Sequence, residues 1–330
     1  GVGAPARLMR ITGPRGSGKT VLLCDLRDRA IELGWKAVVV SAGPRLSHDL
    51  MEQIQDQLSF SSASLGVNVG IASAKLDISS SEMSLRAKLK QIAQGSKGLF
   101  IAVDEVQDAP VEEMRIIAST VQLLIGEKAN IALAFAGLPS GVMDLINGKA
   151  LTFLRRAVPE DLAPINQIEI ALSLSDSFNA TGLSLDGDLL SKAARATKGY
   201  AYLVQLVGYS IWQRANLHRE KSTLVSERDV DEGILLAEAR FHDVVHEPAI
   251  SGLSRNEINY LYAMCEDSRQ SKTSDLAKRL GKKTSELSSV RAKLLSREVI
   301  QAPQRGYVQF TVPDLDEYLK DNRDEILSRY

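Results

Sequence analysis

Gly-Pro-Arg-Gly-Ser-Gly-Lys-Thr, residues 13–20, follows the pattern G-x-x-x-x-G-K-[ST]. The glycines of such a loop let the backbone curl so that successive N–H groups point at phosphate oxygens, and a helix that begins behind it adds partial positive charge. Lys19 can reach the β- and γ-phosphates of a nucleotide, and Thr20 can offer its hydroxyl to Mg²⁺. The stretch therefore predicts a phosphate-binding loop.

The sequence on either side of this loop supports that interpretation. Residues 7–12 are typical of a short strand, and residues 21–33 carry apolar side chains at helical spacing. Strand, loop and helix in this order are what the phosphate-binding mechanism requires. The alternative is an ordinary glycine turn before a helix, and the order of the flanking elements favours the phosphate-binding loop over it.

Bulk composition limits the classes of protein that need to be considered. The 330 residues suffice for two or three domains, and the net charge of −1 argues against a chain that coats nucleic acid along its whole length. Cys24 and Cys265 are far apart and indicate buried thiols rather than a disulfide. We see neither a signal peptide nor a long apolar run, so we expect a cytoplasmic protein without a membrane partner. Because the chain begins at Gly1, directly before the first strand, we expect a segment to precede it.

A second informative stretch is Leu-Phe-Ile-Ala-Val-Asp-Glu, residues 99–105. An apolar strand runs straight into two carboxylates. Asp104 is placed to hold the Mg²⁺ shell, and Glu105 is placed to orient or deprotonate an attacking water. The alternative is a strand that merely ends in an acidic turn. Gln107 and Asp108 follow and could tether Glu105, although we favour solvated turn residues.

Further apolar runs complete a pattern of alternating strands and helices. Residues 36–41, 130–136 and 165–170 are typical of strands, which gives five in all and predicts a parallel α/β sheet. Ligands bind at the carboxyl ends of such strands, where residues 13–20 and 104–105 both fall. Residues 59–81 are rich in serine and glycine. They indicate a loop or small hairpin, as a tolerated surface insertion rather than a partner-contacting element.

The remainder of the chain divides into a helical part and a basic part. Residues 186–197, 202–217 and 227–245 predict three helices, followed by a helix that Ser254 and Glu257 cap. Residues 299–302 and 307–311 predict a hairpin, and the order of helices and hairpin is that of a winged helix. Ten lysines and arginines against three acidic residues between positions 269 and 305 favour DNA contact. A basic module that contacts protein is the alternative.

Four local phrases carry a resemblance to a known family. They are Asp-Glu-Val-Gln-Asp at 104–108, Phe-Ala-Gly-Leu-Pro at 135–139, Thr-Phe-Leu-Arg-Arg at 152–156 and Gly-Tyr-Ala-Tyr-Leu-Val-Gln-Leu-Val-Gly at 199–208. With the two motifs above, the chain resembles an AAA+ ATPase of the initiator type. This type includes the origin-recognition and archaeal replication-initiator ATPases and is related to the STAND ATPases. The phrases also resemble bacterial members labelled only "ATP-binding protein".

The resemblance implies a fold, a domain organisation and cofactors. It implies a parallel five-stranded sheet of order 5-1-4-3-2 in a P-loop ATPase core (1–171), a helical lid (172–249) and a winged-helix domain (250–330). It also implies ATP or ADP and Mg²⁺ as cofactors. The residues expected to contact the nucleotide are Gly13, Pro14, Arg15, Gly16, Ser17, Gly18, Lys19, Thr20 and Val21.

The resemblance also assigns roles to individual side chains. Lys19 and Glu105 would be catalytic, and Thr20 and Asp104 would hold the metal. Arg156, or its neighbour Arg155, falls where the family places an arginine finger, which would act in trans on a second copy of the chain. A surface arginine pair that only makes salt bridges is the alternative.

Two departures from the family pattern predict slow hydrolysis. The end of the fourth strand has no polar sensor, with Ser140 as the nearest hydroxyl, and residues 199–202 offer no arginine at the start of the third lid helix. The segment that contacts adenine in the family would precede Gly1.

Two functions follow from the sequence. The first is an ATPase whose nucleotide state switches DNA binding or assembly. The residues expected to contact double-stranded DNA are Lys282, Lys283, Arg291, Lys293 and Arg305. The alternative is a nucleotide-gated signalling or scaffold protein whose winged helix contacts protein. A metabolic kinase is disfavoured, because nothing in the sequence resembles a small-substrate site.

Overall fold

The computed structural model describes residues 7–63, 78–220 and 222–329. By their internal contacts they fall into two units. The first unit comprises the residues up to Gly13 together with Gly18–Leu162, and the second comprises Pro14–Ser17 together with Ala163–Tyr330. Among the described residues, none of the helices is long and apolar enough to cross a membrane.

The first unit is built on a five-stranded parallel sheet. Its strands are β1 (Leu8–Thr12), β2 (Lys36–Ser41), β3 (Leu99–Asp104), β4 (Ile131–Gly137) and β5 (Val158–Asp161). Their order is β2-β3-β4-β1-β5, which is the predicted order 5-1-4-3-2 read from the other edge. Its helices are α1 (Lys19–Glu32), α2 (Leu46–Ala63), α3 (Ile78–Gly95), α4 (Val111–Gly126) and α5 (Pro139–Asn147). Short 3₁₀ segments occupy Val106–Asp108 and Lys149–Arg156.

Helices cover both faces of this sheet, as the apolar strands predict. Along β3, Ile101 and Val103 pack into the core formed with α2, α3, α4 and α5. Ala102 points to the opposite face, where it packs near Leu23 of α1. Successive side chains alternate between faces with a period of two, so a strand buried on both faces is apolar throughout. This arrangement fixes the carboxyl ends of β1, β3 and β4 at one edge of the sheet.

The predicted fifth strand, residues 165–170, is wrong. The structure places β5 earlier, at Val158–Asp161, paired in parallel with β1. Residues 167–170 instead form the first turn of a helix, Gln167–Ala180. The Asn166 side chain caps this helix by accepting a hydrogen bond from the Ile168 N–H. All four residues of β5 are exposed, so this edge strand lacks the apolar run by which a buried strand is recognised.

The predicted insertion at Ser59–Ser81 is helical at both ends. Helix α2 extends to Ala63 and α3 begins at Ile78. The stretch between them, and with it the rest of this prediction, lies outside the described residues.

Helices form the first part of the second unit. They are α6 (Gln167–Ala180), α7 (Gly187–Ala196), α8 (Ala201–Asn216), α9 (Glu227–Phe241) and α10 (Glu247–Ile250), with a π-helical turn at His242–His246. The three predicted helices correspond to α7, α8 and α9, and α6 is additional. The side chains of Leu174, Ile211 and Val230 share one apolar core.

The last part of the second unit combines short helices with a small antiparallel sheet. Its elements are α11 (Arg255–Met264), β6 (Ser271–Lys272), α12 (Thr273–Arg279), α13 (Ser288–Ser296), β7 (Ile300–Gln301), β8 (Tyr307–Phe310), α14 (Leu315–Asp321) and α15 (Arg323–Ser328). The predicted hairpin is present as β7 and β8, and β6 pairs on the other side of β8. Ser254 and Glu257 form the predicted capping box of α11. Contacts group everything from Ala163 onward in one unit, so the predicted boundaries of the three domains stay predictions.

A buried histidine joins the two parts of the second unit. His246 Nε2 lies 2.7 Å from the Pro313 carbonyl oxygen, and its Nδ1 has no hydrogen-bond partner among the described residues. Burial lowers the pKa of His246 below its usual value. A proton on Nδ1 would place an unpaired N–H in the interior, which is costly.

We therefore expect acid to destabilise the second unit through His246. The contribution is fully present above a pH of about 6.5, the ordinary pKa of histidine, and is lost as pH falls, because the unfolded chain binds the proton more tightly. Thermal unfolding at pH 8 and pH 5.5 measures the effect. The melting temperature of the wild type should fall more than that of His246→Gln, whose side chain can still donate to Pro313. Equal decreases in the two proteins would contradict this prediction.

Candidate active site

The loop between β1 and α1 has the backbone that its glycines predict. Gly16 and Gly18 have φ angles of +74° and +95°, a left-handed conformation that side chains disfavour. Gly18 is also the N-cap of α1 and offers no side chain to its first turn. The first N–H groups of a helix have no partner within the helix, so the start of α1 is a place where an anion can bind.

The loop contains one buried side chain, Lys19, and one buried hydroxyl oxygen, that of Ser17. Lys19 is 4% exposed, and its Nζ donates a hydrogen bond of 2.9 Å to the Gly13 carbonyl oxygen. The Ser17 hydroxyl oxygen is buried and has no hydrogen-bond partner among the described residues. A buried cation at the start of α1 suits a phosphate group, which would accept a hydrogen bond from it.

Thr20 and Asp104 meet at the carboxyl edge of the sheet. The Thr20 hydroxyl donates to Asp104 Oδ2 at 2.5 Å, although 84 residues separate them. Asp104 is the last residue of β3 and is only 4% exposed, and its Oδ1 accepts from the Glu105 N–H at 2.9 Å. A hydroxyl beside a buried carboxylate is the oxygen donor set that Mg²⁺ prefers. The residues present therefore fit the predicted metal.

Glu105 follows Asp104 in a left-handed backbone conformation, with a φ of 53°. Gln107 Nε2 donates to Glu105 Oε2 at 2.5 Å, and Gln107 Oε1 accepts from the Leu138 N–H at 3.1 Å. Gln107 is thus the tether that the sequence analysis disfavoured, and the interpretation as a solvated turn residue is wrong. Asp108, by contrast, is exposed.

The two candidate arginine fingers differ in their contacts. Arg155 donates from Nε to the Ile146 carbonyl oxygen at 2.9 Å and from Nη2 to the Asn147 carbonyl oxygen at 3.2 Å. These bonds tie it to the end of α5. Arg156 is exposed and directly precedes the segment that leads into β5. Arg155 is exposed as well, so the two arginines differ in their hydrogen bonds rather than in their exposure.

Tyrosines occupy the place where the resemblance implies a sensor arginine. Within the second unit, the Tyr200 hydroxyl donates to the Arg15 carbonyl oxygen, and the Tyr202 N–H donates to the Gly16 carbonyl oxygen at 3.1 Å. Burial raises the pKa of Tyr200 to about 12, so this phenol stays a donor at physiological pH. The absence of an arginine from residues 199–202 was visible in the sequence, but these contacts were not.

The predicted DNA-contacting residues lie in or just before α13 and in the turn between β7 and β8. Lys282 and Lys283 precede α13, Arg291 and Lys293 lie on it, and Arg305 lies between β7 and β8. All are exposed except Arg291, which is half-buried.

Two other basic residues of this region have structural roles. Arg279 makes two hydrogen bonds to the Asp267 carboxylate, and Arg297 donates to the Ser251 and Gly252 carbonyl oxygens. They contribute less to a free basic surface than the count of charges implied.

Comparison of the sequence with protein families identifies its N-terminal part. Residues 4–146 match the family described as "AAA domain". The match contains the loop at residues 13–20, Asp104 and Glu105. Residues 243–319 match a second family, described as "Domain of unknown function (DUF8462)". A search of curated proteins found no significant match.

Solved structures of similar fold match nearly the whole chain rather than its N-terminal part alone. The Walker-type ATPase of Pyrococcus abyssi is 14% identical, with a TM-score of 0.68 over 96% of this chain and 91% of that one. The ORC2 protein of Aeropyrum pernix, solved as ADPNP–ADP complexes, is 14% identical, with a TM-score of 0.64 over 98% and 89%. Cdc6p of Pyrobaculum aerophilum is 15% identical, with a TM-score of 0.51 over 97% and 88%. At these identities the likeness is one of fold.

Proposed function

We propose that this protein binds ATP with Mg²⁺ and hydrolyses it to ADP and phosphate. The observation that carries the proposal is the hydrogen bond between Thr20 and Asp104, because it joins the phosphate-binding loop to the carboxylate pair that follows β3. The match of residues 4–146 to the AAA domain family supports it. So does the ORC2 protein of similar fold, whose structure contains nucleotides.

Each residue of the site has a role in this reaction. Lys19 and the N–H groups of α1 would bind the phosphates, and Thr20 and Asp104 would hold Mg²⁺. When bound, the metal neutralises charge on the phosphate oxygens. Glu105 would accept a proton from the attacking water. For this step the water must lie within hydrogen-bond distance of a Glu105 carboxylate oxygen.

We propose further that Arg156 acts in trans on the nucleotide of a second copy. Its exposure supports this role, as does the engagement of Arg155 with the end of α5. The four exposed residues of the neighbouring edge strand β5 offer a surface on which another chain could pack. An arginine near the γ-phosphate stabilises the charge of the transition state.

We propose that the C-terminal elements form a winged helix and that this winged helix binds double-stranded DNA. Their order of helix, strand, two helices and hairpin is that of a winged helix, in which α13 would enter the major groove. Four exposed cations lie on, or close in sequence to, that helix and could contact phosphates: Lys282, Lys283, Lys293 and Arg305. Contacts of this kind bind mainly the phosphate backbone and are weakened by salt.

The double variant Lys282→Ala/Lys283→Ala is expected to weaken binding to any duplex by about tenfold or more at low salt. It should also reduce the slope of log K against log [salt] by about 2, since each phosphate contact contributes close to one unit. Fluorescence anisotropy with a labelled duplex at several salt concentrations measures both quantities. The matched control, Arg45→Ala/Arg228→Ala, removes two exposed charges elsewhere and should change neither. An unchanged slope in the lysine variant would contradict DNA contact at this site.

A second candidate function is a nucleotide-gated signalling or scaffold protein. Two observations favour it: Arg279 and Arg297 are used within the fold, and tyrosines replace the implied sensor arginine. Phosphate release by the wild type, measured with and without duplex DNA, separates the candidates. Stimulation or inhibition by DNA that disappears in Lys282→Ala/Lys283→Ala supports the first. A rate of hydrolysis that is the same with and without DNA supports the second.

A further inference from the structure

The Gln107 side chain connects the carboxyl ends of β3 and β4. Its Oε1 accepts a hydrogen bond from the backbone N–H of Leu138, and its Nε2 donates to the Glu105 carboxylate. Because a backbone N–H can only donate, the amide oxygen must face Leu138 and the NH₂ group must face Glu105. The orientation of this amide is therefore fixed by the chemistry of its partners.

Two glycines leave room for this side chain. A Cβ atom at Gly137 would lie 2.7 Å from Gln107 Oε1, and one at Gly141 would lie 2.4 Å from Gln107 Cβ. Neither glycine has a positive φ angle, so the backbone conformation does not require glycine at either position. Gly141 even lies within α5, where alanine would ordinarily be the better residue. At Gly141 the nearest atoms all belong to Gln107, whereas at Gly137 a Cβ atom would also lie 2.9 Å from Val106 Cγ2. Space for Gln107 therefore explains Gly141 and contributes to the need for glycine at 137.

The end of β4 has no polar side chain of its own. The strand ends at Ala136 and Gly137, and Leu138 follows. Gln107 reaches across from the turn after β3 and places an amide there. We infer that Gln107 is a positioning residue, which holds the Glu105 carboxylate against the end of β4 and supplies the polar group that this strand lacks.

This inference rests on the proposed function, in which Glu105 accepts the proton of the attacking water. Gln107 binds Oε2 of Glu105. In the proposed reaction the other carboxylate oxygen, Oε1, would accept the proton from the water. Without the amide, the Glu105 side chain could rotate among several rotamers, and misplacement of a catalytic group by about 1 Å can cost about 100-fold in rate. ATP affinity should not change, because the hydrogen bonds of the Gln107 side chain go to Glu105 and Leu138, which lie outside the phosphate-binding loop.

Three variants test the inference through kcat and ATP affinity, measured separately. Gln107→Glu keeps the size and the acceptor for Leu138 but replaces the donor to Glu105 with a second carboxylate. Gly141→Ala leaves Gln107 intact and displaces it. Both should lower kcat roughly 10- to 100-fold, with the Kd for ATP and Mg²⁺ within twofold of the wild type. The matched control, Asp108→Asn, changes an exposed residue of the same turn and should retain wild-type kcat.

Other outcomes overturn the inference in distinguishable ways. If Gln107→Glu retains wild-type kcat, the amide has only a structural role, and the inference is wrong while the proposed function stands. A joint loss of kcat and ATP affinity in Gly141→Ala and Gln107→Glu also contradicts it, because the whole site would then have been disturbed. If the wild type hydrolyses no ATP, the proposed hydrolysis fails and the inference fails with it.

Discussion

Lys19→Ala is expected to abolish ATP binding at micromolar concentrations. The ammonium group is buried within the loop, and removing one member of a buried charge pair costs about 2–5 kcal/mol, which is about 30-fold or more in affinity. The Gly13 carbonyl oxygen would lose its partner in the same variant. Lys19 should therefore matter more for binding than any other single side chain of the loop.

Isothermal titration with ATP and Mg²⁺ measures this loss. The matched control is Lys97→Ala, which removes an exposed lysine just before β3, at the amino end of the sheet and away from the site. It should bind ATP as the wild type does. Comparable affinity in Lys19→Ala and Lys97→Ala would show that the phosphates bind elsewhere.

Glu105→Gln is expected to lower kcat by about 10²- to 10⁴-fold, the usual contribution of a general base. ATP affinity should be retained, because Glu105 lies beyond the metal-binding pair and the substitution preserves its size. The protein should then accumulate with unhydrolysed ATP. Quenched-flow measurement of phosphate release, with binding measured in parallel, separates the two effects.

Glu112→Gln is the control for this variant. Glu112 lies on the first turn of α4, where it is exposed and paired with Arg115. Its substitution removes the same charge and should leave kcat unchanged. Hydrolysis at the wild-type rate in Glu105→Gln would place the base on another residue.

The parts of the fold that the sequence predicted are those whose chemistry requires a fixed local pattern. A phosphate-binding loop needs its glycines, lysine and threonine at set spacing, so residues 13–20 were recognisable without any knowledge of the fold. The buried parallel strands were recognisable because both of their faces are apolar. Ser254 and Glu257 identified the start of α11 because a capping box requires residues three positions apart.

The parts that were missed depend on contacts between distant residues. β5 is an exposed edge strand, so its sequence lacks the apolar signal, whereas the apolar residues at 165–170 belong mainly to α6. Gln107 resembled any polar turn residue until its partners were known. The one available signal was the pair of glycines at 137 and 141, whose purpose appears only in three dimensions. Likewise, the charge count could not separate Arg279 and Arg297, which bind within the fold, from the exposed lysines.

The most direct test of the account is a single-turnover experiment with the wild type in excess over γ-labelled ATP. The account predicts complete release of labelled phosphate in the presence of Mg²⁺, its loss on chelation of the metal, and intact bound ATP in Glu105→Gln. ATP that binds in the presence of Mg²⁺ but is never cleaved would contradict the proposed hydrolysis. It would leave a protein that binds nucleotide without consuming it.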